Sequence, residues 1–305
     1  MSPNNGQRSG PFGQGVEVTG GHLPVLSFDR HDRDVVGLAY VYPVVSRRAK
    51  GVSIGINLNP NNACNWRCVY CQVPGLVRGS GPPIDVPRLE GELDRMLGAV
   101  VEGDFMTRHV PPDLRCLRDV ALSGNGEPTS SPNFREVLEA VARAIGRKAA
   151  SLPIVVITNG SLIDRPSVQS ALRYLATVEG RVWFKLDAGS DEGMQAVNSA
   201  NTRLARHVER LKVVSKICPT WVQSCWFVRR ECEPATGEVD HYVRALAGLV
   251  ESDARIRGVY LYSLARASSQ PESVDLRPIS IAWLERLGER LRALGVPVEV
   301  VTSGD

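Results

Sequence analysis

The chain has 305 residues, of which 43% are hydrophobic and 23% are charged, as expected for a globular protein with a sizeable core. A formal net charge of +3 gives no indication of a strongly basic nucleic-acid-binding surface. There is no apolar stretch of about 18 residues and no basic start followed by an apolar run, so we expect no membrane span, no secretory signal and a cytoplasmic location.

The first 50 residues differ in composition from the rest of the chain. Residues 1–22 are rich in Gly, Asn, Ser and Pro, which predicts a disordered lead-in. Residues 23–50 contain the runs LPVLSF and VVGLAYVYPVVS, which predict extended segments packed on the main domain.

From residue 51 onward, short apolar runs alternate with segments of helical period. The predicted strands are 51–58, 119–124, 153–160, 181–189, 219–228, 256–265 and 296–302. The predicted helices are 86–101, 133–148, 166–177, 203–216, 238–252 and 280–295. This alternation predicts right-handed βαβ units on a parallel sheet. We therefore expect an α/β fold, a partial (βα)6 barrel over residues 51–265, with a C-terminal helix and strand extension over 266–305.

Three cysteines lie close together after the first predicted strand. Cys64, Cys68 and Cys71 have the spacing C-x3-C-x2-C within NACNWRCVYC, and no histidine stands in this loop. Clustered thiols in a cytosolic protein indicate metal binding, and a structural zinc site usually has four ligands. Three thiolates can hold three irons of a [4Fe–4S] cube and leave the fourth iron open to a small molecule. Zinc with a distant fourth ligand and three unrelated buried cysteines are the alternatives.

Polar residues follow the next three predicted strands. In parallel α/β folds, ligands bind at the carboxyl ends of the strands. The loop SGNGEPT places Asn125, Gly126 and Glu127 there, where glycine allows close backbone approach and the carboxylate accepts from an amine. An ordinary strand-to-helix turn with a solvated Glu is the alternative.

The loops TNGS and FKLDAGS contribute further candidates. Asn159 could bond a ribose or a carboxylate, or belong to an ordinary Asn-Gly turn. Lys185 and Asp187 stand two residues apart, so a strand projects both to one side. They could bind a ligand together, or form a salt bridge with each other.

The motif CNWRCVYC resembles the signature of the radical S-adenosylmethionine (SAM) superfamily, and the resemblance extends over residues 51–265. It implies a [4Fe–4S] cluster on Cys64, Cys68 and Cys71, with SAM chelating the open iron. The implied reaction is reductive cleavage of SAM to a 5′-deoxyadenosyl radical, which abstracts hydrogen from a substrate.

The resemblance also implies roles for residues outside the cysteine motif. Tyr70 is expected near the adenine, and the Asn125, Gly126 and Glu127 stretch near the SAM amino group. With SAM as the ligand, Asn159 could bond its ribose or carboxylate, and Lys185 with Asp187 could hold its carboxylate and ribose hydroxyls. The implied partners are a small-molecule or nucleoside substrate and an external electron donor of the flavodoxin or ferredoxin type.

Within the superfamily, GINLNPNNACNWRCVYCQVPG, GEPT and TNG look most like the branch of wyosine-type tRNA-modifying Fe–S oxidoreductases. The chain departs from that branch because no cysteine precedes Cys64, and its low net charge does not favour tRNA. We therefore expect a different substrate in the same branch. The alternatives are modification of a macromolecule (a tRNA base, a peptide, or glycyl radical activation) and a non-catalytic zinc- or cluster-binding module.

Overall fold

The structure is a computed structural model that describes residues 25–28, 36–149 and 151–302. The predicted lead-in over residues 1–22 lies outside the described residues. None of the described helices has the length and apolar character needed to cross a membrane.

The described residues form twelve strands, eight of which make one sheet. The strands are β1 Val41–Ser46, β2 Gly51–Ile56, β3 Ala63–Cys64, β4 Val77–Arg78, β5 Leu117–Leu122, β6 Ile154–Thr158, β7 Arg181–Lys185, β8 Thr220–Cys225, β9 Phe227–Arg229, β10 Ile256–Tyr262, β11 Leu276–Pro278 and β12 Val298–Val301. The large sheet has the order β1-β2-β5-β6-β7-β8-β10-β12. Only β1 is antiparallel to its neighbour among these eight.

Eight α-helices connect these strands in the described part of the chain. They are α1 Val86–Val101, α2 Phe105–His109, α3 Phe134–Lys148, α4 Pro166–Thr177, α5 Asp191–Asn198, α6 Leu204–Ile217, α7 Thr236–Glu251 and α8 Ile281–Arg292. Apolar spacing explains the long helices: α3 buries Val137, Leu138, Val141 and Ile145 on one face. Asp85 begins α1 by accepting a hydrogen bond from the backbone N–H of Arg88 at 3.1 Å.

The predicted α/β class and partial barrel are confirmed. All seven predicted strands and all six predicted helices have counterparts at the expected positions. The sequence patterns did not predict α2 or α5, because helices of five and eight residues give too short a periodic signal. The sequence patterns predict that the barrel domain starts at residue 51. In the structure β1 and β2 pair along their whole length as a hairpin, so residues 50 and 51 lie where its turn meets β2.

The two faces of the sheet are buried in different ways, as alternation along a strand requires. Val120 and Leu122 join the large core shared with the helices, whereas Ala121 between them joins Trp183 and Tyr260 in a second cluster. On the turn after β1, Lys50 pairs with Glu299 of β12 at 3.0 Å. Because β1 and β12 stand at opposite ends of the strand order, this contact requires the sheet to curl.

The packing of α4 on the sheet generates a stability prediction. Leu172 is fully buried, whereas its neighbour Arg173 is exposed on the same helix. We expect Leu172→Ala to lower the free energy of unfolding by about 2–5 kcal/mol through lost burial and a cavity. Arg173→Ala, the control, is expected to change it by less than about 0.5 kcal/mol in urea unfolding. Equal effects would contradict the assigned packing of α4.

Candidate active site

A cavity of about 310 Å³ lies at the carboxyl ends of the central strands, a volume at the lower end of the range for small-molecule sites. Nine of the ten residues predicted from sequence line it, and Asp187 does not. The nine are Cys64, Cys68, Tyr70, Cys71, Asn125, Gly126, Glu127, Asn159 and Lys185. The fold therefore brings four separate loops to one place.

The cysteine loop is held by a segment distant in sequence. Ser268 donates from its hydroxyl to the carbonyls of Val69 at 2.7 Å and Cys71 at 3.0 Å. The backbone N–H of Ser269 donates to Cys71 at 2.8 Å. A bidentate ion pair between Arg67 and Glu272 adds a side-chain clamp, with N···O distances of 2.9 and 2.5 Å. Residues 268–272, within the predicted C-terminal extension, thus support the loop and are named here the strap.

Two of the three thiols accept hydrogen bonds from nearby N–H groups. Trp66 donates its backbone N–H to Cys64 Sγ at 3.5 Å, and Asn198 donates its side-chain N–H to Cys68 Sγ at 3.2 Å. Burial raises the pKa of Cys64 to about 12 and that of Cys68 to about 11. Both are therefore thiols at neutral pH until a cation displaces the proton.

The three cysteines all line the same cavity. No three His, Cys, Asp or Glu side chains in residues 25–28, 36–149 and 151–302 are placed to hold a single metal ion.

Gly126 sits where no side chain fits. A Cβ there would lie 2.1 Å from the Ala63 carbonyl oxygen and 2.7 Å from Cγ of Asn59. Glycine thus lets the loop after β5 pack directly against the start of the cysteine loop.

Asn125 has one polar atom without a protein partner. Its backbone N–H donates to Asn57 at 3.0 Å and its side-chain amide donates to Asn62 at 2.5 Å. Its carbonyl oxygen Oδ1 is buried and accepts no hydrogen bond from the residues that the structure describes. A buried acceptor lining a cavity is a binding position for an N–H or O–H donor of a ligand.

The carboxylate of Glu127 is engaged by the protein itself. Its Oε1 accepts from the hydroxyls of Thr129 at 2.5 Å and Thr158 at 2.6 Å, and its Oε2 accepts from the backbone N–H of Asn159 at 2.6 Å. Burial raises the pKa of Glu127, and these hydrogen bonds oppose that shift. Glu127 therefore ties β6 to the loop after β5 while it also lines the cavity.

Asn159 forms a second link between strand end and cysteine loop. Its side-chain N–H donates to Asn65 at 2.8 Å, and Asn65 in turn donates to the Ser161 hydroxyl at 2.7 Å. Gly160, the next residue, has a φ of +70°, a conformation that glycine adopts readily.

Lys185 and Asp187 form a salt bridge, with Nζ and Oδ2 3.6 Å apart. This is one of the two alternatives predicted from the sequence for the pair. Asp187 also accepts from the Tyr70 hydroxyl, from Asn198 at 2.9 Å and from the Cys225 backbone N–H at 3.0 Å. Asp187 thus lies behind the lining and fixes Tyr70, while Lys185 extends to the cavity.

Sequence reasoning missed several residues of this site. Asn198 belongs to the unpredicted α5, and Asn57 and Asn65 supply amides that connect the loops. The asparagines in NLNPNNACN were a visible signal, because short amides bond backbone groups in turns. The strap gave no signal, since only the tertiary fold brings it to the cysteines.

Comparison with known proteins agrees with this geometry. The family model of the radical SAM superfamily matches residues 58–226, more than half of the chain, and the chain belongs to this superfamily. A UPF0026 protein of Helicobacter pylori (strain ATCC 700392 / 26695) is 29% identical over 147 residues, which cover 48% of this chain and 41% of that protein. A UPF0026 protein of Synechocystis is 28% identical over 160 residues, covering 52% of each. The alignments thus span about half the length of these relatives or less.

Solved structures show the same fold at low sequence identity. A radical SAM methyltransferase from Sphaerobacter thermophilus superposes with a TM-score of 0.54 at 15% identity, covering 82% of this chain and 66% of that one. Spore photoproduct lyase complexed with a dinucleoside spore photoproduct gives a TM-score of 0.52 at 8% identity, covering 79% and 74%. At these identities the similarity establishes the fold alone.

A buried histidine supports the site from behind. His207 on α6 packs between Trp66 and Phe184, with ring centroids 5.3 and 4.7 Å away, and its Nε2 bonds the Lys185 carbonyl at 2.7 Å. Burial lowers the pKa of His207 to about 4.

This shift gives the stability a pH dependence. Between about pH 6.5 and 4 the unfolded chain binds a proton at His207 that the folded chain does not. The free energy of unfolding should therefore fall by up to about 3 kcal/mol as the pH decreases through that range. Urea unfolding at several pH values should show a shallower fall in His207→Gln, while the control His241→Gln, at an exposed position, follows the unmodified protein. An unchanged fall in His207→Gln would refute the assignment.

Proposed function

We propose that this protein is a radical SAM enzyme that binds a [4Fe–4S] cluster through Cys64, Cys68 and Cys71. It cleaves SAM reductively and acts on a small-molecule or nucleoside substrate not yet identified. The observation that carries the proposal is one shared cavity. Three thiols of one loop line it, together with the buried acceptor Asn125 Oδ1 and with Gly126, whose backbone packs against the cysteine loop.

The residues present fit both cofactors. Three thiolates can coordinate three of the four irons of a [4Fe–4S] cluster, so the fourth iron would stay open to another ligand. Asn125 Oδ1 supplies a buried acceptor for the amine of SAM, and the ammonium of Lys185 supplies a cation for its carboxylate. Glu127 would accept from the same amine through Oε2, which accepts one hydrogen bond, from Asn159, within the described part of the chain.

Other residues hold the loop and its surroundings in place. Asp187 fixes the Tyr70 ring beside Lys185, whose Nζ lies 4.9 Å from the ring centroid, and this places an aromatic face for the adenine. Asn159 fixes Asn65, and the strap fixes the carbonyls of the cysteine loop. Cys64, Cys68 and Cys71 would hold the cluster, which would provide the electron that breaks a carbon–sulfur bond of SAM, giving methionine and a 5′-deoxyadenosyl radical able to take a hydrogen atom from the substrate. A flavodoxin- or ferredoxin-type donor would deliver the electron.

A tRNA base as substrate is a second candidate. It rests on the sequence similarity of GINLNPNNACNWRCVYCQVPG to wyosine-type enzymes. A tRNA affinity that falls as the salt concentration rises would favour this candidate, whereas an affinity that does not change with salt would count against it.

The cysteine assignment is tested by substitution. We expect Cys64→Ala, Cys68→Ala and Cys71→Ala each to abolish 5′-deoxyadenosine formation from SAM under dithionite, because each removes one iron ligand. Cys232→Ala is the control, since Cys232 is exposed and does not line the cavity. Iron and sulfide should be present in the unmodified protein. Zinc in their place, or continued cleavage in a single variant, would refute the proposal and leave a non-catalytic metal module.

The contact between Asn198 and Cys68 predicts a change in reduction potential. Hydrogen bonds to cluster sulfurs raise the potential because they stabilise the more negative, reduced state. We expect Asn198→Ala to lower the midpoint potential measured by spectroscopic titration. Asn201→Ala on the exposed surface nearby should leave it unchanged. A higher or unchanged potential in Asn198→Ala would mean that this bond does not act on the cluster.

A further inference from the structure

The cavity continues beyond the cysteine loop toward the turn between β1 and β2. Arg47 and Arg48 on this turn line it, as does Arg266 after β10. Cys225 also lines the cavity, and the charges of both Arg47 and Cys68 act on its thiol. Arginines and cysteines therefore line one continuous space.

Arg48 is held in a fixed position inside the barrel. Its guanidinium carbon lies 4.8 Å from the ring centroid of Trp183 and 5.2 Å from that of Tyr262. Its Nη1 donates to the side-chain oxygen of Gln223. A guanidinium has five N–H donors, so contact with two rings and one amide oxygen leaves donors for a ligand.

The balance of charges near the cavity favours an anion. Burial and the neighbouring charge of Arg48 lower the pKa of Arg47. Lys185 is paired with Asp187. The buried Asp119 accepts a hydrogen bond from Ser53; burial raises the pKa of Asp119, and the charges of Arg181 and Arg48 oppose that shift. In the described part of the chain no carboxylate lies within ion-pair distance of Arg48. Neighbouring guanidinium groups in a partly desolvated space are stabilised by an oxyanion between them.

We infer that Arg48, with Arg47 and Arg266, forms an oxyanion-binding subsite, and that the substrate is a small molecule with a carboxylate or phosphate group. The inference rests on the proposed function, since it places this anion in the cavity that the cysteines line. The aromatic rings of Trp183 and Tyr262 keep the planar guanidinium of Arg48 oriented, which suits bidentate hydrogen bonding to a carboxylate or a phosphate.

The test measures binding of inorganic phosphate and of acetate by calorimetry. It uses the full chain purified anaerobically, without SAM or reductant, so it reports on the arginines whether or not SAM is cleaved. We expect binding in the unmodified protein and a dissociation constant raised about tenfold or more in Arg48→Gln. Tighter phosphate binding identifies a phosphoryl group and tighter acetate binding a carboxylate, and both support the inference.

Lys50→Gln is the matched control, because it removes one positive charge from the same turn at an exposed position outside the cavity. It should bind anions as the unmodified protein does. Arg47→Gln provides a second cavity variant should Arg48→Gln unfold, which circular dichroism reports.

Three results would overturn the inference. The first is absence of anion binding in the unmodified protein. The second is an equal loss in Lys50→Gln, which would indicate a general charge effect. The third is a matching rise in the SAM dissociation constant of Arg48→Gln reconstituted with iron and sulfide, which would assign the arginine to the methionyl carboxylate.

Discussion

The close approach of two backbone segments at Gly126 is the constraint on which the site depends. The carbonyl of Ala63 occupies the space that a side chain at residue 126 would need. This contact fixes the start of the cysteine loop against the end of β5. The strap then fixes the other end of the loop, so both ends are held by groups from distant parts of the chain.

The two buried carboxylates of the site mainly bind groups of the protein itself. Glu127 and Asp187 each accept several hydrogen bonds from the protein, and those donors belong to different strands and loops. Charged acceptors make strong hydrogen bonds in a low dielectric, so each carboxylate holds its loops in one arrangement. Asn125 Oδ1 and the ammonium of Lys185 are polar groups that line the cavity itself.

The concave face of the sheet differs from an ordinary apolar core. Trp183, Trp221 and Tyr260 fill part of it, and Arg48 covers Trp183 from the hairpin turn. A hairpin that precedes the cysteine loop thereby supplies cationic groups to a cavity whose other lining comes from the βα units.

The sequence by itself determined the order of strands and helices and the partial barrel, because periodicity is a local property. From their spacing it also predicted that Cys64, Cys68 and Cys71 share one site, and all three line one cavity. It also placed nine lining residues at strand ends, where parallel sheets gather ligands. It did not reveal the strap, the role of Asn198 or the entry of Arg48 into the barrel. Those contacts join residues far apart in the chain, so only the tertiary structure decided them, through the curl of the sheet and the packing of loops on it.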